Sequence, residues 1–391
     1  MEKKGRIGIP RALMFYRYLP FWQAFFEALG WEVIVSGGMG KKGKIIYFED
    51  SCLPMKLMVT HASHLANGVD HLFIPRLVSL HPKHILCPKF RGAPDIVRLA
   101  IEGKVSILDE TIDLRRPEHS SRKAFSKVGE KLGASARESR NAFSKAERSF
   151  ALFQRDWIDR INRLSTKDLF KLEIPTPPLK SSPREDRLKC HCEGVQRPKQ
   201  SHTALDDKEI AALPSAARNE KEGSGHGDLM DEAEGKGEKL RVAFIGHPYN
   251  LFDADISKDV IGLAKQLGME ILTSDLLSER VIEEEISNLS KEIYWSSGRE
   301  IIGSLFHFLS GGVDGVVFVT SFKCGIDALL QELVKRMLRI RGGFSTPFLT
   351  LSFDEHTGRE GLTTRLEAFK DVMEERRNQA PIGSSVRMSS N

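Results

Sequence analysis

The 391-residue chain predicts an α/β protein of two doubly wound, parallel-sheet lobes that arose by internal duplication. Short β-branched runs alternate with longer stretches of helical period, the pattern of parallel strands joined by crossover helices. Four strings recur in the same order in both halves, at an offset of roughly 240 residues, the mark of a long repeated unit. With 40% hydrophobic residues, the length suffices for two cores of ordinary size.

The repeat is legible string by string. Arg6-Ile7-Gly8-Ile9-Pro10 answers to Arg241 through Pro248, and Ala28 through Ser36, centred on Leu29-Gly30-Trp31-Glu32, answers to Gln266 through Ser274. Gly68-Val69-Asp70 opens one apolar run and Gly312-Val313-Asp314 opens another, while Ile107-Leu108-Asp109-Glu110 answers to Ser352-Phe353-Asp354-Glu355. Strands are therefore expected at 5–9, 31–35, 70–75 and 104–108, and again at 241–246, 269–273, 315–320 and 347–353. These give an N-terminal α/β lobe over 1–120 and a C-terminal α/β lobe over 240–378.

Between them, Phe125, Val128, Leu132, Phe143, Ala146, Phe150, Phe153, Trp157, Ile161 and Leu164 recur mostly at three and four, predicting an amphipathic helix or helix pair. That helical connection spans 121–174, packed across the lobes or forming a dimer contact. Residues 175–239 are rich in Pro, Ser, Lys, Glu and Gly with hardly an aromatic. Such a segment cannot bury enough apolar surface to offset its ordering entropy, so a low-complexity disordered insert is expected, with a disordered tail at 379–391.

Composition narrows the class. A net charge of +5 is mild for this length and falls partly in the linking segments between the halves, so it does not point to nucleic acid. No stretch reaches the eighteen or so apolar residues of a membrane span, and Met1-Glu2-Lys3-Lys4-Gly5 leads into a strand without a targeting segment. Five cysteines are too few for a disulfide framework. A cytoplasmic protein with reduced thiols is expected.

The chemistry-bearing residues are Cys52, Cys87 and Cys324. Each follows a strand-like run and precedes a turn or helix start, as Cys52-Leu53-Pro54, Cys87-Pro88 and Cys324-Gly325. Open parallel sheets bind ligands beyond the carboxyl ends of their strands, so two facing lobes would bring the three thiols into one cleft. Thiolates suit iron–sulfur clusters, zinc and copper(I). A free cysteine is often just a small core residue, but these stand in loops rather than in apolar runs.

Other strings carry weaker chemistry. Cys190-His191-Cys192 lies in the insert without the second knuckle a structural zinc site needs. Gly38 to Lys44 has phosphate-loop spacing but leads into Ile45-Ile46-Tyr47-Phe48, which reads as another strand, so a solvated basic turn is expected. His61 and His64 share a helix face, and His81 and His84 flank a loop. Neither pair has the acidic partner of a zinc-protease motif, so surface or capping histidines are expected.

The strings Ile9-Pro10-Arg11-Ala12-Leu13, Glu49 through Lys56, Phe73-Ile74-Pro75-Arg76, Cys87-Pro88-Lys89-Phe90, Gly246-His247-Pro248-Tyr249-Asn250 and Asp354 through Gly358, with Thr364 through Glu367, carry a resemblance. Together they resemble an acyl-CoA dehydratase activase-related family of unknown function, itself related to 2-hydroxyacyl-CoA dehydratase and benzoyl-CoA reductase subunits. The resemblance implies two flavodoxin-like lobes and a 4Fe-4S cluster between them, with Cys52, Cys87 and Cys324 as metal ligands and one iron left open. It also implies a partner ATPase of the actin and sugar-kinase superfamily that supplies a low-potential electron, and a homodimer or a related subunit. Unlike larger members, this chain has neither extra cysteines nor a fused ATPase domain, which favours a single cluster.

Arg11, Glu49, Lys56, Arg76, Lys89, His247, Tyr249, Glu355 and His356 are the candidates for lining the cleft. The arginines Arg11, Arg76 and Arg365 could equally pair with acidic residues between the lobes. The catalytic residues are not legible. Three functions stay open: an oxygen-sensitive dehydratase or reductase component, a non-catalytic electron carrier or assembly partner, and a metal-free two-lobed binding protein.

Overall fold

A computed structural model describes residues 3–38, 45, 46, 48, 51–163, 239–287, 289, 291–341 and 346–379. The insert expected at 175–239 lies outside the described residues except for its last, as do Cys190, Cys192, Glu49, most of the Gly38–Lys44 string and the tail beyond Gln379. Both lobes belong to one compact unit.

The first lobe is built on β1 (Arg6–Ile9), β2 (Glu32–Val35), β3 (His71–Phe73) and β5 (Ser106–Leu108), parallel and ordered β2-β1-β3-β5. The second is built on β7 (Arg241–Gly246), β8 (Glu270–Thr273), β9 (Gly315–Ser321) and β10 (Phe348–Phe353), ordered β10-β9-β7-β8. Read outward from the first strand, both sheets have the same doubly wound order, with the switch point between the first and third strands.

The repeat extends to single hydrogen bonds. Asp70 Oδ2 accepts from the Arg6 amide at 2.7 Å, and Asp314 Oδ2 accepts from the Arg241 amide at 2.7 Å. The Gly-Val-Asp string thus anchors the first strand of each lobe at its start. The helix α1 (Phe15–Ala28) closes through Gly30 at φ 87, and the Trp31 amide reaches back to the Phe26 carbonyl at 3.0 Å. In the second lobe Gly268 at φ 84 does the same, with the Met269 amide on the Ala264 carbonyl at 3.1 Å. A left-handed residue is needed at this helix end, and glycine enters that region without a Cβ penalty.

Two further strands, β4 (Arg76–Ser79) and β6 (Thr111–Asp113), form a separate parallel pair that the pattern does not announce. The expected strand 70–75 breaks because Pro75 has no amide to donate, and the chain resumes as β4 in the second sheet. Ile45, Ile46 and Phe48 form no strand; the Ile46 amide donates instead to Thr60 Oγ1 at 2.8 Å.

The crossover helices of lobe one are α2 (Leu53–Leu65) and α3 (Pro88–Ala100). The predicted connection is a pair, α4 (Ser121–Lys131) and α5 (Ala136–Arg163). A reciprocal capping box starts α5: the Glu138 carboxylate accepts from the Ser135 amide at 2.8 Å, while Ser135 Oγ accepts from the Glu138 amide at 3.2 Å. The pair packs on α1 through edge-on rings, Phe21 against Phe125 at 5.0 Å and Phe143 at 5.3 Å, and Phe25 against Phe125 at 4.8 Å.

Lobe two adds α6 (Pro248–Phe252), α7 (Ala254–Ser257), α8 (Val260–Gln266), α9 (Glu279–Ile286), α10 (Ser296–Ser310), α11 (Gly325–Arg341) and α12 (Arg359–Gln379). One apolar cluster runs from lobe one through Val242, Phe244, Val317 and Phe353 on one side of the second sheet. A second cluster, around Ile302, Leu305, Phe306, Phe318 and Val334, fills the other side. No helix among the described residues is long and apolar enough to cross a membrane.

Candidate metal centre between the lobes

All three cysteines stand where a helix begins. Cys52 is the residue before α2, with extended φ −71 and ψ 154, and Pro54 presets the first turn. Cys87 precedes α3 with Pro88 in the first position. Cys324 precedes α11; its carbonyl accepts from the Ala328 amide at 3.0 Å. Lys323, at φ 63, makes the sharp turn from β9 into that helix. A side-chain-bearing residue in this region is uncommon and costs backbone energy, which the surrounding structure must hold.

Helix starts carry unpaired amides and partial positive charge, a setting that favours thiolate over thiol. The Lys89 amide reaches the sulfur of Cys87, and the Asp327 amide reaches that of Cys324. Burial opposes ionisation and dominates, pushing both thiols up, and the thiols repel one another when charged: Cys324 is raised by Cys52 and Cys87, and Cys87 by Cys52. Three converging thiols, costly to ionise alone, are suited to a cationic group that would neutralise them.

Tyr249 sits among them. Burial raises its hydroxyl well above the usual phenol range, and Asp327, Cys324, Cys52 and Cys87 all add to the rise. Its ring stacks on His247 at 4.7 Å and 10°, and lies 6.3 Å from Phe90, three residues beyond Cys87. One tyrosine within electrostatic reach of all three thiols locates their meeting point beside α6.

The spacing of the donors bears on what they fit. A single tetrahedral ion at about 2.3 Å from sulfur would draw thiolates to about 3.8 Å from each other. Among the described residues, His247, Cys324 and Asp327 are the group of three donors whose ligand atoms all lie within 4.8 Å; the three thiols form no such group. Sulfur donors at three helix starts suit iron–sulfur groups as well as zinc.

His247 is the residue before α6, at the end of β7. Its Nε2 lies 2.7 Å from Asp327 Oδ1, and Asp327 Oδ2 accepts from Thr320 Oγ1 at 2.8 Å. Asp327 is 0% exposed. Burial pulls the imidazole down, but the charge and hydrogen bond of Asp327 outweigh it, so His247 titrates above its ordinary value. Gly246 is required here because a Cβ would meet the Val319 carbonyl oxygen at 2.4 Å. The histidine is thus held against the strand that carries Thr320.

The other sequence candidates divide. Lys56, 3% exposed by side chain, pairs with Glu355 at 2.9 Å across the lobes, and that bond holds the Glu355 carboxyl below its usual range. Arg11 donates through Nε to Tyr16 Oη at 3.0 Å and lies near Asp253 and Asp255 of lobe two. Lys89 lies beside Cys87, as its charge and amide show. Arg76 stays within lobe one, its fork on Asp95 at 2.5 and 2.8 Å, because Asp95 sits on the facing side of α3. His356 is exposed, its amide bonded to Asp354 Oδ1 at 3.0 Å, and Arg365 is exposed on α12.

The histidines expected at the surface differ. His64 is exposed, but His61 is 0% exposed with neither ring nitrogen hydrogen-bonded, because α2 is covered on most sides rather than on one face. His84 is 2% exposed and stacks on His81 at 4.4 Å. Asp327 and Thr320 went unread in the sequence. An acid three residues after Cys324, at capping-box spacing in an opening helix, is the signal that points to Asp327.

Charge across the lobes is one-sided. Arg11, Arg17 and Lys56 of lobe one face Asp253 and Asp255, Asp275 and Glu300, and Glu355 of lobe two, in that order, while the His84 imidazole, which burial pulls down, lies 3.7 Å from Glu292. The Ile85 amide also donates to the Tyr294 carbonyl at 3.2 Å, and the Ser296 amide to the Ile85 carbonyl at 3.0 Å. These contacts fix the two sheets around the cysteines.

A family model described as the CoA enzyme activase uncharacterised domain (DUF2229) matches residues 6–277. The match takes in Cys52, Cys87, His247 and Tyr249 and ends before Cys324. No curated protein matches the chain.

Proposed function

Because the chain belongs to the CoA enzyme activase uncharacterised domain family, we propose that it is an iron–sulfur component of an acyl-CoA dehydratase-like or reductase-like system. Cys52, Cys87 and Cys324 would hold a 4Fe-4S cluster between the lobes, with one iron lacking a thiolate. The observation that carries this reading is the convergence of three thiols, each at the start of a helix, around the buried Tyr249.

Such a cluster, when bound, supplies a low-potential electron and a Lewis-acidic iron. The protein's residues have separate tasks. The amides at Cys87 and Cys324 donate to sulfur and offset negative charge there. Tyr249 keeps its proton and presents an apolar ring that helps exclude water. Lys56 and Glu355 tie the helix that begins at Cys52 to the second lobe. In this reading the electron comes from a separate ATPase of the actin and sugar-kinase superfamily, the partner that the family relationship suggests. The protein works in a reducing compartment.

A test is iron and sulfide analysis after purification without oxygen. About four irons per chain and a broad absorption near 400 nm are expected. Cys87→Ala should abolish the absorption. A colourless, iron-free protein after reconstitution would leave a metal-free binding protein. Turnover of 2-hydroxyacyl-CoA with an activating ATPase would separate an enzyme from an electron carrier.

A further inference from the structure

Three cysteines leave one position of a four-iron group without a protein thiolate, and among the described residues His247 is a nitrogen donor grouped with one of them, Cys324. His247 is fixed at the end of β7, 6% exposed, with its ring stacked on Tyr249, the residue that also faces the thiols. Asp327 is a carboxylate and can only accept, so the Nε2 at 2.7 Å from its Oδ1 carries the hydrogen. In the neutral imidazole the lone pair is then on Nδ1. Among the described residues no hydrogen bond occupies Nδ1, and the side chain makes no capping bond to α6.

Metal-binding histidines commonly donate their second nitrogen to a carboxylate in this way, which fixes tautomer and ring orientation. Asp327 is itself oriented, since Thr320 Oγ1 donates to its Oδ2 at 2.8 Å. With one oxygen on His247 and the other on Thr320, Asp327 is the orienting partner rather than a ligand. The histidine, the aspartate and Cys324 present their donor atoms within 4.8 Å of one another.

We propose that His247 is the fourth protein ligand of the group held by Cys52, Cys87 and Cys324, bound through Nδ1 and oriented by Asp327 and Thr320. The proposal rests on the three-cysteine reading and adds what occupies the iron that lacks a thiolate. His247 would thereby complete the protein ligand set, with Asp327 and Thr320 holding its ring in place.

The experiment is pulsed electron paramagnetic resonance on the full chain, reconstituted with iron and sulfide without oxygen and reduced. One sample carries ¹⁵N only in its histidines. The expected result is a strongly coupled nitrogen that changes to the ¹⁵N pattern in the labelled sample and is lost in His247→Ala. A paramagnetic cluster with no histidine-derived coupling overturns the proposal and leaves the three-cysteine reading standing. Absence of any cluster signal overturns both. The labelled wild-type chain decides the matter even where His247→Ala does not fold.

Discussion

Replacing His61 by leucine should make the protein more resistant to acid, by an amount that follows from its surroundings. The imidazole is 0% exposed, and neither ring nitrogen has a hydrogen-bond partner. Burial pulls it down to about 4 from 6.5, with Asp255 acting weakly the other way and Arg11 and His64 adding to the fall. Between those values the unfolded chain binds the proton and the folded chain does not. Stability is therefore lost as pH falls from about 6.5 towards about 4, and the full loss is about 3 kcal/mol for a shift of this size. From pH 7 to pH 5 the expected share is about 2 kcal/mol. Leucine is of similar volume and leaves no polar atom unpaired, so the neutral-pH change should stay under about 1.5 kcal/mol. The assay is urea denaturation of wild type and His61→Leu at both pH values. Asp253, Asp259 and Asp275, each raised to about 6 chiefly by burial, titrate with the opposite sign. Only the difference between the two proteins isolates His61. An equal pH dependence in both would refute the reasoning.

Other outcomes follow from the same physics. Thr320→Val should lower stability by about 1–2 kcal/mol in chemical denaturation, because it removes the donor to a fully buried carboxylate oxygen while keeping the volume. Gly246→Ala should cost about 1–3 kcal/mol by the same measurement, since its Cβ would press on the Val319 carbonyl. Phe25→Ala should cost about 3–5 kcal/mol, as the ring is 0% exposed and packed edge-on against Phe26 and Phe125. Cys190→Ala should leave the iron content and visible absorption unchanged, whereas Cys52→Ala should lower both.

The sheet strands were legible because each lobe repeats a short grammar. The Leu-Gly pair that ends a helix and the Gly-Val-Asp that anchors the first strand read the same way at Gly30 and Gly268, and at Asp70 and Asp314. The places of Cys87 and Cys324 were legible for the same reason, as both open the helix after the third strand of a repeat. What escaped the sequence depends on partners distant along the chain. β4 and β6 are four- and three-residue runs that become strands only by pairing with each other. Asp327 acquires its meaning from His247, eighty residues away, and His61 is buried because lobe two and α2's own neighbours cover it. Arg76 shows the reverse error: a charge near a cysteine in sequence that the fold satisfies locally on Asp95.

In the proposed function the three thiols meet on one iron–sulfur group between the lobes. This is tested most directly by anomalous diffraction at the iron edge from crystals grown without oxygen. One compact peak is expected, bounded by the sulfurs of Cys52, Cys87 and Cys324 and lying beside Tyr249. Iron density at Cys190 and Cys192 instead, or thiols that stay unbound in a protein loaded with iron, would contradict it.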